Sequence, residues 1–262
     1  MDYKSPYDIV KDLIQSGAIK SKLAVKDILI RGFLSGAFLA FSTILAFTVA
    51  IQSQQGYIGA IAFPVGFAMI ILLGLELVTG NFAIIPMAVF AKQTSMFWLV
   101  RNWTWAFLGN LMGCTFLGLL FSIYITKLGH HYDAEIVQKI VAIAEEKTLV
   151  YKNEGSAGLL IVFVKAILCN WMVTMGVVMG NVSTSTTGKI LALWLPVFTF
   201  FTLGLEHSVV NMFVIPTAIL LKANISLSDW WWWNQIPVTI GNCIGGAFFT
   251  GALLYFSFGR KR

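Results

Sequence analysis

The chain reads as an all-α membrane protein of six transmembrane helices, arranged as two inverted three-helix repeats in which helices 2 and 5 are interrupted. Three observations predict this. Hydrophobic residues make up 58% of the 262 and charged residues 11%, with a mean hydropathy of +0.80, whereas soluble domains carry about a quarter charged residues. Six apolar runs reach spanning length, at 28–51, 58–89, 96–125, 158–179, 191–221 and 236–258. A fifteen-residue pattern occurs twice, from Gly74 to Ala88 and from Gly204 to Ala218, with Gly, Leu, Glu, Asn, Ile, Pro and Ala in register.

Residues 1–26 hold Asp2, Asp8 and Asp12 and no apolar core, so they make no signal peptide. Ile9, Leu13, Ile14, Ala18, Ile19 and Leu23 recur at helical spacing, which predicts an amphipathic helix at the cytoplasmic interface. Repeat one then covers 28–125, an outside connector 126–157, and repeat two 158–258, all within a single channel domain. The second and fifth runs are too long for one straight span of about 20 residues. Both contain the duplicated pattern, so each reads as a span broken near its middle.

The repeat extends past its centre. The segment from Arg31 to Gly36 aligns with that from Lys165 to Asn170, Asn102 with Asn234, and the segment from Gly109 to Gly113 with that from Gly241 to Gly245. Three spans per half is an odd number, so the second half enters the membrane inverted. The small-xxx-small pairs Gly32/Gly36, Gly109/Gly113 and Gly241/Gly245 predict close helix packing.

The net charge of +6 marks topology and no nucleic-acid partner. Counting Lys4, Lys11, Lys20, Lys22, Lys26, Arg31, Lys92, Arg101, Lys189, Arg260, Lys261 and Arg262 on one side against Lys127, Lys139, Lys147, Lys152 and Lys222 on the other places both termini inside. Cys114, Cys169 and Cys243 lie in apolar spans without metal-type spacing and read as packing residues. His130 and His131 are adjacent, so a helix would point them apart, and a solvated loop is the better reading than a metal pair. The polar run from Asn181 to Lys189 lacks phosphate-loop spacing and reads as a cytoplasmic turn. No cofactor or metal is implied, and the tetrad from Trp230 to Trp233 reads as an interfacial anchor.

A carboxylate at membrane depth costs upward of about 2.5 kcal/mol, and this chain carries two at equivalent places, Glu76 and Glu206. A fixed negative charge in a conduction path repels an anion. Both are therefore read as braces that accept from donors freed where the helices break. His207 is the one histidine in the apolar spans, and Leu77 holds the matching place in repeat one. An imidazole can exchange a proton or donate to an anion, and Thr79, across the pseudo-twofold, supplies a hydroxyl. The alternative is a histidine satisfied by packing. Phe63, Phe67 and Phe200 precede the motifs and either close the path beside a polar centre or serve as ordinary packing.

These residues also carry a resemblance. The strings Glu76-Leu77-Val78-Thr79-Gly80-Asn81, Arg101-Asn102-Trp103, Gly109-Asn110, Cys169-Asn170-Trp171, the run from Glu206 to Met212, Ile215-Pro216 and the run from Ile236 to Asn242 resemble the formate/nitrite transporter family along the whole chain. The resemblance implies an aquaporin-like fold, a homopentamer with one pore per protomer, a bacterial-type inner membrane, and a small monovalent anion as substrate, nitrite or formate foremost. It places Thr79 opposite His207, with Asn170 and Asn211 at the same polar centre. It sorts Phe63, Phe67 and Leu77 into one constriction and Phe200 into the other, and gives Lys165 a part in attracting anions. Bicarbonate and hydrosulfide also suit such a pore. A neutral-solute facilitator is disfavoured by the missing Asn-Pro-Ala pair and the single buried histidine. An enzyme is disfavoured because His207 and Ser208 are neighbours whose side chains diverge, with no second base among the spans.

Overall fold

A computed structural model describes residues 2–259, which leaves Arg260, Lys261 and Arg262 of the charge count outside the described residues. Among the described residues, four helices are long and apolar enough to cross a membrane: α2 (Val25–Ser53), α6 (Met96–Ile125), α9 (Ser156–Met179) and the C-terminal helix Leu227–Gly259. That last helix is assembled from α12 (Leu227–Trp230) and α13 (Ile236–Ile244) with wide π-helical turns at Trp231–Gln235, Gly245–Ala252 and Tyr255–Gly259.

The two remaining spans are broken as their length required. Span 2 is α3 (Gly56–Ala62), α4 (Pro64–Leu72) and α5 (Val78–Phe90). Span 5 is α10 (Thr186–Thr202) and α11 (Ser208–Leu220). The polar run at 181–189 is accordingly only half turn, since α10 begins at Thr186.

The Gly-Leu pair that opens each motif explains the break. Gly74 and Gly204 adopt φ of 63° and 60°, a left-handed geometry open to glycine at little cost. The Gly74 and Leu75 N–H groups donate to Ile71 (3.2 Å) and Ile70 (3.0 Å), and those of Gly204 and Leu205 to Phe201 (3.1 Å) and Phe200 (3.2 Å). Both ends are Schellman caps, which satisfy the last carbonyls of a helix that stops inside the bilayer.

The paired glycines bring backbones together. A Cβ on Gly36 would overlap the Asn110 carbonyl of α6, and one on Gly241 would overlap the Phe163 carbonyl of α9. Helix pairs α2/α6 and α9/α13 therefore touch through main chain, which is how apolar helices gain contact in lipid.

Two amphipathic elements flank the spans. The N-terminal helix α1 (Pro6–Ser21) packs on α5, burying Ile9, Val10, Leu13 and Ile14. The connector, α7 (Glu135–Glu145) followed by a π turn at Glu146–Val150 and α8 (Tyr151–Glu154), packs on α11 through Val137, Ile140 and Ala144. Each half thus lays an amphipathic helix against its second half-helix. His130 and His131 lie in an exposed turn before the connector.

Candidate permeation site

Glu76 and Glu206 are fully buried, and each is surrounded by the same set of donors. Glu76 accepts from Asn81 (2.7 Å), Asn102 (3.2 Å) and the Lys20 ammonium (2.5 Å). Glu206 accepts from Asn211 (2.8 Å), Asn234 (3.3 Å) and Lys147 (2.9 Å). Asn102 also donates to the Lys20 carbonyl, as Asn234 does to that of Lys147. The lysines come from α1 and from the connector, so the pseudo-twofold includes both flanking elements. A buried carboxylate survives only with such pairing.

A second asparagine pair holds the broken backbone. Asn110 accepts from the Val78 N–H (2.9 Å) and donates to the Gly32 and Glu76 carbonyls. Asn242 accepts from the Ser208 N–H (2.8 Å) and donates to the Ala166 and Glu206 carbonyls. One side chain thus caps the start of each half-helix and occupies a carbonyl freed by the interruption.

The symmetry ends at the centre. Thr79, in the first turn of α5, and His207, the N-cap of α11, meet across the pseudo-twofold with Oγ1 and Nε2 3.0 Å apart. His207 Nδ1 accepts from the Val210 N–H at 3.1 Å. An Nδ1 that accepts carries no proton, so the neutral ring bears its proton on Nε2 and donates to Thr79. The Thr79 hydroxyl proton is then directed away from the histidine. Asn170 donates to the Thr79 carbonyl (3.1 Å) and to that of Asn242 (2.6 Å), beside the Thr79–His207 pair. The Asn211 amide N–H groups donate to Glu206 and Asn234 (both 2.8 Å). It lies one turn along α11 from His207 and braces the carboxylate.

Two vestibules flank this centre. The one beside the connector, of about 230 Å³, is lined by Phe200, Phe201, Leu205, His207, Lys147 and Lys165, among others. The one beside α1, of about 180 Å³, is lined by Ile70, Ile71, Leu75, Val177, Lys20 and Lys189, among others. Ile70 answers to Phe200, Ile71 to Phe201, Leu75 to Leu205 and Lys20 to Lys147, so the two are images of one another.

The aromatic residues sort differently from expectation. Phe63, at the junction of α3 and α4, meets Phe200 edge to face (5.6 Å between centroids) and stacks on Phe201 (4.0 Å). Phe200 in turn lies parallel to the His207 ring at 5.7 Å. Phe63 therefore shares the apolar layer of Phe200 and is not grouped with Phe67 and Leu77, a correction. The α3/α4 break sets its position: Ser42 donates to the Phe63 carbonyl and accepts from Gly66. Phe67 is buried against Gly176, and Leu77 is buried as the N-cap of α5.

Lys165 lies 4.0 Å from Glu206 and over the Tyr151 ring. Tyr151 donates to the other Glu206 oxygen at 2.9 Å, a contact without counterpart at Glu76. Burial first, and then the Glu206 carboxylate, hold this phenol well above the usual tyrosine range. Lys20, Lys147, Tyr151 and Ile70 were not singled out from the sequence. Lys20 and Lys147 are 127 positions apart, close to the motif offset of 130, and extending the repeat into the flanking helices would have found them.

Comparison with known proteins agrees with this architecture. The family model described as formate/nitrite transporter matches residues 7–256. The chain belongs to the formate/nitrite transporter family. It is 32% identical to a formate channel of Bacillus thuringiensis, over 100% of this chain and 98% of the relative. Among solved structures, an ion channel of the family superposes with a TM-score of 0.84 at 25% identity, covering 95% of this chain and 98% of that one. A pentameric formate channel with formate bound has the same fold, with a TM-score of 0.72 at 24% identity over 90% and 98%. The chain is thus a multi-pass membrane transport protein, and no enzyme, with the aquaporin-like fold of formate/nitrite transporters.

Proposed function

We propose that this formate/nitrite transporter conducts small monovalent anions, formate or nitrite foremost, through the two vestibules and past the Thr79–His207 pair. The observation that carries the reading is the hydrogen bond joining the first turns of α5 and α11, made by a histidine that stands where repeat one has Leu77. Two half-helix N-termini converge there, and their partial positive charge favours an anion. The Phe63–Phe200 layer on one side and Phe67 with Leu77 on the other exclude water, so a bare anion passes them at high cost. Glu76 and Glu206 are each neutralised by a lysine and brace the broken helices, Glu206 from the wall of the connector-side vestibule. By likeness to the family, the assembly is a homopentamer in a bacterial-type inner membrane, with the α1 face cytoplasmic.

The geometry at His207 favours stabilisation by hydrogen bonding over direct protonation of the solute. In its neutral form the ring has one proton, on Nε2, and giving it up would leave an imidazolate. Donation of a proton to the anion needs an imidazolium, and placing a proton on Nδ1 breaks the cap on Val210. In this mechanism the Thr79 hydroxyl and Nε2–H hold the anion, and acid loosens the first turn of α11. Lys147, Lys165, Glu206 and Glu146 line the same vestibule and set the field at the ring.

The test is labelled formate and nitrite flux in proteoliposomes between about pH 5 and 8. Wild type should carry both anions with a pH-dependent rate, and His207→Asn should lose that dependence. An unchanged pH profile in His207→Asn sinks the role assigned to the ring. Fast water flux without anion flux sinks the anion reading as a whole.

A further inference from the structure

The vestibule beside α1 is lined by two cations, Lys20 and Lys189. Lys20 is committed to the brace, 2.5 Å from Glu76 and 2.9 Å from the Leu75 carbonyl. Lys189 is half-buried in this wall, and among the described residues no carboxylate lies within ion-pair distance of it. The described lining contains no acidic side chain at all. The opposite vestibule differs. There Lys147 and Lys165 face Glu206 and Glu146, two cations against two carboxylates, with Lys147 2.9 Å and Lys165 4.0 Å from Glu206. The fold is symmetric at these mouths and the charge is not.

We propose that Lys189 collects the small monovalent anion at the α1-side vestibule, and that its uncompensated charge makes this mouth the more readily loaded of the two. The inference rests on the anion-channel reading above. Its physical basis is that a cation in a narrow cleft with apolar walls raises the local concentration of anions. Ile70, Ile71, Leu75 and Val177 supply those walls. Salt screens a charge at such a mouth, so the advantage is largest at low ionic strength. Lys189 has no carboxylate to release, so an arriving anion displaces only water.

The experiment compares wild type, Lys189→Gln, Lys189→Arg and Lys165→Gln in proteoliposomes whose orientation is read by protease access to an N-terminal tag. Initial formate and nitrite flux is measured with the anion added to one face at a time. For Lys189→Gln, the half-saturating concentration from the α1 face should rise roughly threefold to tenfold at low salt. The difference should shrink above about 0.15 M salt. Maximal flux and half-saturation from the connector face should hold, and Lys189→Arg should keep the wild-type value. Lys165→Gln should act from the connector face, and more weakly. Equal effects of Lys189→Gln from both faces, or none from either, overturn the proposal while wild-type flux leaves the channel reading intact. Wild type that carries neither anion overturns the reading and this proposal with it.

Discussion

The two glutamate braces differ by one hydrogen bond, and that difference makes an ordering that can be measured. Replacing Lys20 by Met, of similar length and without charge, leaves Glu76 fully buried with only the Asn81 and Asn102 amides. Breaking a buried ion pair from one side costs about 3–5 kcal/mol. The Lys20 side chain is 17% exposed, so part of its interaction was already shared with water and the lower end, about 3 kcal/mol, is expected. Lys147→Met leaves Glu206 in a better position. It keeps Asn211 and Asn234, and also Tyr151 Oη at 2.9 Å on the other oxygen, with Lys165 4.0 Å away. A hydrogen bond to a charged group contributes about 1.5–3 kcal/mol. Lys147→Met should therefore cost about 1.5 kcal/mol or more less than Lys20→Met. Adding Tyr151→Phe to Lys147→Met should bring its cost up to that of Lys20→Met. The assay is denaturation by sodium dodecyl sulfate from mild detergent, followed by tryptophan fluorescence. If the two lysine variants unfold alike, or if Tyr151→Phe adds nothing to Lys147→Met, the account of Glu206 as the better-braced carboxylate is wrong.

Two further outcomes follow from the same contacts. Asn110→Ala and Asn242→Ala each orphan two buried backbone groups, the N–H that starts a half-helix and the carbonyl of the preceding glutamate, so each should cost about 2 kcal/mol or more and abolish flux; a variant with wild-type stability in the same denaturation assay would contradict the capping role. The raised Tyr151 pKa means that the folded state holds the phenol proton more tightly than the unfolded chain does. Its contribution to stability is complete below the unfolded value of about 10 and is lost as pH rises from there toward the folded value. Wild type should lose stability across that alkaline range faster than Tyr151→Phe, and parallel pH–stability curves would refute it.

The sequence and the structure meet at some residues and part at others. His207 and Thr79 were legible as a pair because the motif copies align, and the position where Leu77 stands against His207 names itself. Asn211 was not legible in the same way. It shares the motif with His207, but its amide turns to Glu206 and Asn234. Phe63 was misassigned because its place depends on the break between α3 and α4 held by Ser42, and a hydropathy run does not record that bend.

What the sequence by itself determined was the class and the symmetry: six apolar spans, an odd number per half and hence inversion, two spans broken near their middles, and a histidine in one motif copy where the other has Leu77. These are properties of local composition and of self-similarity, and both survive in one dimension. Tertiary structure decided which lysine meets which glutamate, since Lys20 and Glu76 come together across 56 positions only once α1 packs on α5. It also decided that Phe63 and Phe200 share a layer, and that Val210 occupies His207 Nδ1. Contacts of this kind depend on how helices cross and rotate against each other, and a glycine stripe permits a close crossing without specifying which polar side chains it brings into register.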